Sequence, residues 1–218
     1  MTTTLTLSVG NKNYSSWSMR PFVLMREVGI EFELHQIWLD EDKDRATRRQ
    51  LSGMGTVPVL TIERGGERTV MPDTLAMTEV LHELFRAAGI WPADFRKRCQ
   101  ARALCAEMHA GFQALRSEMP MNWWRKATRR SPGSEGLERD LARVDEIFAA
   151  AEGPLLLGAF SAADAFFAPV ASRLRSYEVT LGPRAERTVD ALLALPSVLE
   201  WGRDGAAEER RFESYDAL

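Results

Sequence analysis

Hydrophobic and polar positions change rhythm twice along this chain. Residues 5–9 (Leu-Thr-Leu-Ser-Val) alternate as a strand does. Residues 18–28 place Phe22, Leu24, Met25 and Val28 at helical spacing, and Gly29 stops them. Residues 32–39 alternate again, with Phe32, Leu34, Ile37 and Leu39 read as inward-facing. Residues 40–50 are highly charged and predict a short exposed helix. Residues 57–62 form an apolar strand, Gly65-Gly66 a hairpin turn, and residues 69–71 its return. Residues 74–88 carry a helical stripe of Leu75, Val80, Leu81, Leu84 and Phe85, ended by Gly89. A βαβ unit followed by a hairpin and a helix predicts a small mixed sheet with helices on both sides.

After the linker Ile90-Trp91-Pro92 the strand signal disappears. Helices are predicted at 93–119, 135–151, 161–177, 184–194 and 197–206. Pro120, Ser131-Pro132-Gly133, Gly153-Pro154, Gly182-Pro183 and Pro196 separate them. The expected organisation is an α/β unit over residues 1–88, of thioredoxin size, and an all-helical domain over residues 93–218.

Composition narrows the classes of function. The 218 residues are 45% hydrophobic and 27% charged, the balance of a globular protein with a sizeable core. Net charge is −3, and residues 1–90 carry 10 Lys/Arg against 12 Asp/Glu, so no basic arm suggests a nucleic-acid partner. No apolar run has the length of a membrane span, and the N-terminus lacks a signal-peptide pattern. Cys99 and Cys105 are six residues apart in a helical pattern and face differently, which predicts free, buried thiols in a reducing cytoplasm. His35, His82 and His109 are scattered without metal-ligand spacing, and no metal site is expected.

Four segments could carry chemistry. Asn13-Tyr14-Ser15-Ser16-Trp17-Ser18 clusters hydroxyls where a helix begins, between two aromatic rings. A serine there caps the helix, and the helix start also favours an anion. Val57-Pro58 opens a strand, either as a tolerated edge proline or as a cis peptide exposing backbone groups to a peptide-like ligand. Asp73-Thr74 starts a helix, as a cap or as a site for the ammonium and carboxylate of an α-amino acid end. Ser161-Ala162-Ala163-Asp164 matches a capping box ahead of an apolar run and reads as structural. Arg125, Lys126, Arg129 and Arg130 form a basic cluster read as a solvated loop, or as an attractor of anions if it overhangs a cleft. Trp123 and Trp124, after Pro120, read as core, interface or pocket wall.

In this order and spacing the segments resemble the cytosolic glutathione S-transferase family over nearly the whole chain. Ser15 to Arg20 resembles the zeta-class S-S-C-S-W-R pattern, with Ser15 at the activating serine. Thr56-Val57-Pro58-Val59-Leu60 resembles the cis-proline segment, Asp73 to Met77 the segment that holds the γ-glutamyl group, and Ser161 to Asp164 the capping box of the buried helix. The stretch from Ala106 to Asn122 resembles a bacterial subgroup.

The resemblance implies a thioredoxin-like N-terminal domain on an all-α C-terminal bundle, a cytoplasmic homodimer, and no nucleic-acid or membrane partner. Glutathione is implied as co-substrate, with no tightly bound cofactor. Ser15 or Ser16 would activate the glutathione sulfur for attack on a small, largely apolar electrophile. Thr56, Val57, Pro58, Asp73 and Thr74 would bind glutathione, and Tyr14, Trp17, Trp123 and Trp124 would line the electrophile pocket. Trp17 stands where zeta enzymes have cysteine, which weighs against maleylacetoacetate isomerase activity and cysteine-type thiol exchange. Thr56 replaces the usual Lys or Gln, and Asp73 is one methylene shorter than Glu. The alternatives to conjugation are a glutathione-dependent isomerase or peroxidase, or a non-catalytic binding or regulatory module of the same fold.

Overall fold

The computed structural model describes residues 3–39, 42–124, 133–212 and 216. The basic cluster Arg125, Lys126, Arg129 and Arg130 and the adjoining Ser131-Pro132 lie outside the described residues. The first 84 residues run β1 (Thr3–Val9), α1 (Ser16–Glu27), β2 (Glu33–Gln36), α2 (Asp42–Ser52), β3 (Val59–Arg64), β4 (Glu67–Met71) and α3 (Thr74–Leu84). The sheet order is β2-β1-β3-β4. β1 pairs in parallel with β2, which the α1 crossover permits, and antiparallel with β3. Leu5, Leu7 and Val9 of central β1 are buried. Gly65 and Gly66 both take positive φ, 61° and 84°, as a tight hairpin between β3 and β4 requires.

The rest of the chain is helical: α4 (Phe95–Ala110), α5 (Gln113–Glu118), α6 (Glu135–Ala149), α7 (Ala162–Ser176), α8 (Pro183–Leu193) and α9 (Pro196–Ala207). Among the described residues, the only β pairing here is two isolated bridges within residues 155–159. The whole is a thioredoxin-like sheet unit joined to a helical bundle.

The structure corrects four details. The helix expected over 93–119 breaks at Gly111-Phe112. Phe112 takes the left-handed conformation, φ 58°, so that its ring can pack edge-on to Phe167, 6.0 Å away. The helix expected over 74–88 ends at Leu84, and a 3-10 turn covers Arg86–Ala88. The strand expected over 32–39 keeps only its middle, because register with β1 extends from Glu33 to Gln36. Cys99 is exposed while Cys105 is buried, where desolvation raises its thiol pKa well above the ordinary value.

Helix α7 is the hub. Every residue from Ala162 to Leu174 is buried, and the helix packs against α1, α4 and α8. Five alanines on it let these neighbours approach closely. Its start is fixed by Asp164: Oδ2 accepts from Ser161 N (2.8 Å) and Ser161 Oγ (3.1 Å), and Oδ1 accepts from Leu156 N (2.9 Å). Burial pushes the Asp164 carboxyl up to about 6 even though these donors favour the charged form. Because α1 lies along α7, the first turn of α1 opens at the junction of the two halves.

Candidate active site

The segment before α1 is gripped from both halves. Asn11 O accepts from Tyr14 N (3.1 Å) and Ser15 N (2.8 Å), folding the chain into the helix. Trp201 Nε1 of α9 donates to Lys12 O (2.8 Å), and Glu208 accepts from Lys12 N (2.6 Å) and Asn13 N (3.1 Å). Asn13 Oδ1 accepts from Trp123 N (2.7 Å), and Asn13 Nδ2 donates to Asn122 Oδ1 (3.1 Å). α9 approaches so closely that a Cβ on Gly205 would sit 3.0 Å from Asn13 N.

Ser15 is the N-cap of α1, its Oγ accepting from Ser18 N at 3.4 Å. The Ser15 and Ser18 hydroxyls are hydrogen-bonded at 2.8 Å, and Ser18 Oγ also accepts from Gly10 N (3.1 Å). A bond between two hydroxyls can run either way. When Ser18 donates, the Ser15 proton is free for a ligand. Ser16 differs: its Oγ accepts from Arg173 Nη2 at 2.9 Å, and its own proton has no acceptor among the described residues. Arg173 reaches it from α7, held by the carbonyls of Met119 (2.8 Å) and Pro169 (3.2 Å).

Both serines open on a cavity of about 520 Å³. Tyr14, Trp17 and Phe212 supply aromatic wall, Thr56 and Val57 face it from the other side, and Arg48, Arg116 and Arg173 also line it. The Val57-Pro58 peptide is cis, and Pro58 is buried behind Val57. Tyr14 OH accepts from Phe212 N (3.1 Å) and donates to Asp216 Oδ1 (3.1 Å). Burial is the main cause of its raised pKa.

Asp73 and Thr74 do not line this cavity, but a chain of contacts connects Asp73 to its wall. Asp73 Oδ1 caps α3 through Leu75 N and Ala76 N, both 2.9 Å. Its Oδ2 lies 3.2 Å from His109 Nε2, and the His109 ring stands edge-on to Trp17 at 5.2 Å. Thr74 Oγ1 is buried and lacks a hydrogen-bond partner among the described residues.

Trp123 and Trp124 are not in the cavity wall. The bonds to Asn13 draw their backbone toward the segment before α1, so the Trp123 ring packs on Gly202, and Trp124 Nε1 donates to Ala206 O at 2.7 Å. Trp124 instead supports Tyr14 from behind, edge-on at 5.8 Å. Of that segment, Pro120 and Met121 reach the cavity.

Sequence reasoning missed the arginines, His109 and Phe212. Arg173 had a readable signal: it is a cation in the last turn of the mostly apolar α7, within its buried run. Arg20 is the most unusual of the group. It is fully buried, none of its three guanidinium nitrogens has a hydrogen-bond partner among the described residues, and it lies over Trp17 (4.1 Å) and Phe166 (5.1 Å). Desolvation, then repulsion from Arg173 and Arg116, pushes its pKa down to about 9.

The family model for the glutathione S-transferase N-terminal domain matches residues 14–84, the span that holds Tyr14 to Trp17, Val57-Pro58 and Asp73-Thr74. That match spans 71 of the 218 residues and likens the N-terminal unit to this family's N-terminal domain. Solved structures of the same fold include a glutathione transferase homolog from Burkholderia gl BGR1 with bound glutathione, at TM-score 0.68 and 24% identity, covering 94% of this chain and 99% of that one. Maleylacetoacetate isomerase from Anaeromyxobacter dehalogenans 2CP-1, with bound GSH in its active site, aligns at TM-score 0.69 and 22% identity over 96% of this chain and 99% of that one. Protein IN2-1 of Zea mays is 24% identical over 188 residues, which is 82% of this chain and 73% of the maize protein. The matched span carries both serines, while Arg173, Arg116 and Phe212 come from outside it.

Proposed function

We propose that this protein is a glutathione transferase that joins the glutathione sulfur to a small electrophile in the cavity beside Ser15 and Ser16. The observation that carries this reading is the pair of serine hydroxyls at the start of α1, both lining the cavity, one of them bonded to a buried arginine. A serine hydroxyl does not ionise near neutral pH, so it acts here as a donor to sulfur. A thiol starts near pKa 8.5, and lowering it by about two units takes about 2.7 kcal/mol. One hydrogen bond to a charged group contributes roughly 1.5–3 kcal/mol. The helix start adds to that, and Arg173 adds a full positive charge behind Ser16. The thiolate then attacks an electrophilic carbon, forming the C–S bond as the leaving group departs with its electron pair.

Glutathione would lie with its cysteine backbone against Val57 and Thr56. Its γ-glutamyl end would extend toward Asp73 and Thr74, where the unsatisfied Thr74 hydroxyl suits a carboxylate. Tyr14, Trp17 and Phe212 would form the wall against which the second substrate packs. The protein would act as a cytoplasmic homodimer; Phe95, 72% exposed at the start of α4, is a candidate interface side chain. Light scattering that gives a monomer mass would remove that part of the proposal.

Turnover of a neutral nitroaryl halide with glutathione tests the central reading. Ser15→Ala or Ser16→Ala should slow it at least about tenfold, the loss of one such hydrogen bond. Unchanged rates in both variants would refute the assignment. Product analysis separates the chemistries, since conjugation consumes glutathione and isomerisation returns it.

A further inference from the structure

The two oxygens of Asp73 have different tasks. Oδ1 is committed to the start of α3, accepting from Leu75 N and Ala76 N at 2.9 Å each. Oδ2 faces α4, where His109 Nε2 stands 3.2 Å away. The Asp73 side chain is 44% exposed, so the carboxylate stays open to a ligand, and one carboxylate oxygen can accept from two donors. The same His109 ring meets Trp17 edge-on, 5.2 Å between centres at 84°. Its Nδ1 is buried without a hydrogen-bond partner among the described residues, which leaves Nε2 as the ring's polar tie. His109 sits in the last turn of α4, just ahead of the break at Gly111-Phe112. Trp17 lines the cavity and His109 does not. The histidine therefore stands between a carboxylate on α3 and a ring in the cavity wall. Arg20 stacks on Trp17 at 4.1 Å and is also attracted by Asp73, which ties the same two groups a second time.

Resting on the transferase reading, we infer that His109 is a positioning residue that couples the glutathione subsite at Asp73 to the electrophile wall at Trp17, so that each ligand tightens the binding of the other. With no ligand, an exposed carboxylate is held on its outer side by one bond to a half-buried ring. An ammonium arriving at Asp73 adds a second, charged donor and fixes the carboxylate. The bond to Nε2 then fixes the His109 ring, and the ring fixes the edge of Trp17. The ordering of three side chains is completed when glutathione binds, and a second ligand packing on Trp17 meets a wall already set. The coupling is reciprocal by thermodynamic necessity. His109 needs both of its contacts for this: the Nε2 donor toward Asp73 and the ring toward Trp17.

Isothermal titration calorimetry of the full chain with 1,3-dinitrobenzene, a neutral nitroaryl ring without a leaving group, tests this. The titrations are made alone and with saturating S-methylglutathione, which keeps the ammonium and lacks the thiolate. In the wild-type protein S-methylglutathione should tighten dinitrobenzene binding at least about fivefold, and dinitrobenzene should tighten S-methylglutathione by the same factor. His109→Gln keeps an amide donor for Asp73 and loses the ring, whereas His109→Phe keeps a ring for Trp17 and loses the donor. Each should bring the factor down to about one. The factor is a ratio within one protein, so a purely structural role for His109, which lowers stability or both affinities together, does not move it. Where dinitrobenzene binds too weakly for calorimetry, the same factor is read from the KM of a nitroaryl halide at low and at saturating glutathione. A wild-type factor of about one overturns the proposal, and so does a factor that persists in either variant, because one of the two contacts is then idle. If glutathione and S-methylglutathione both fail to bind, the transferase reading falls and this inference with it; if they bind without coupling, this inference falls alone.

Discussion

Replacing Arg20 by methionine should make this protein more stable. Arg20 is fully buried, with no hydrogen-bond partner among the described residues, and its pKa falls from 12.5 to about 9. At about 1.4 kcal/mol per pKa unit, keeping it charged at neutral pH costs on the order of 5 kcal/mol. Stacking over Trp17 and Phe166 returns roughly 2 kcal/mol. Methionine occupies a similar length and keeps the apolar contacts, so Arg20→Met should gain about 1–3 kcal/mol, in the range found when buried charges give way to apolar groups. For a chain of this size that is a rise in melting temperature of a few degrees to about ten. The folded pKa lies below the unfolded one, so the wild-type penalty is constant below about pH 9 and is relieved only above it. Urea unfolding of both proteins at neutral pH is the assay. A loss of more than about 1 kcal/mol in Arg20→Met would show instead that Arg20 is a structural anchor, and would refute the expected gain.

Two further substitutions probe the scaffold. Asp164→Ala strips the acceptors from Leu156 N and Ser161 N and should destabilise by about 3–5 kcal/mol in urea unfolding. Because burial raises the folded Asp164 pKa to about 6, wild-type stability gains as pH falls from about 6 toward the unfolded value of 3.8, so the gap between the proteins should widen over that window; a gap that narrows contradicts the account. Gly205→Ala puts a Cβ 3.0 Å from Asn13 N and 3.1 Å from Lys12 C. It should cost about 1–3 kcal/mol and also slow turnover, since the displaced backbone leads directly into Ser15; wild-type kinetics in this variant would show that α9 does not position the serines.

The sequence carried the element order because local signals agreed: β1 alternates, Gly65-Gly66 turns, and Gly29 follows the end of α1 where apolar periodicity ends. It failed where tertiary contacts overrode local pattern. Nothing local marks Phe112 for a left-handed conformation; its packing on Phe167 across the bundle decides it. The serine cluster was legible because a helix start needs a hydroxyl. Arg173 stands out as a cation in a mostly apolar run, but its pairing with Ser16 was not legible, because 157 residues separate the two. The tryptophans at 123 and 124 were legible as aromatic surface, but their direction depends on the hydrogen bonds of Asn13, which no periodicity encodes. Arg116 and Phe212 reach the cavity from a short helix and from the C-terminal segment, where single charges and rings carry no positional signal.

The most direct test of the account is the pKa of the glutathione thiol when bound, read from thiolate ultraviolet absorbance as pH is raised. In the wild-type protein it should lie about two units below the free value. Ser15→Ala or Ser16→Ala should return it most of the way, and the serine whose loss does so is the sulfur contact. A bound thiol that titrates as it does in free solution, or one depressed equally in wild type and both variants, would contradict the claim that the start of α1 is the catalytic centre.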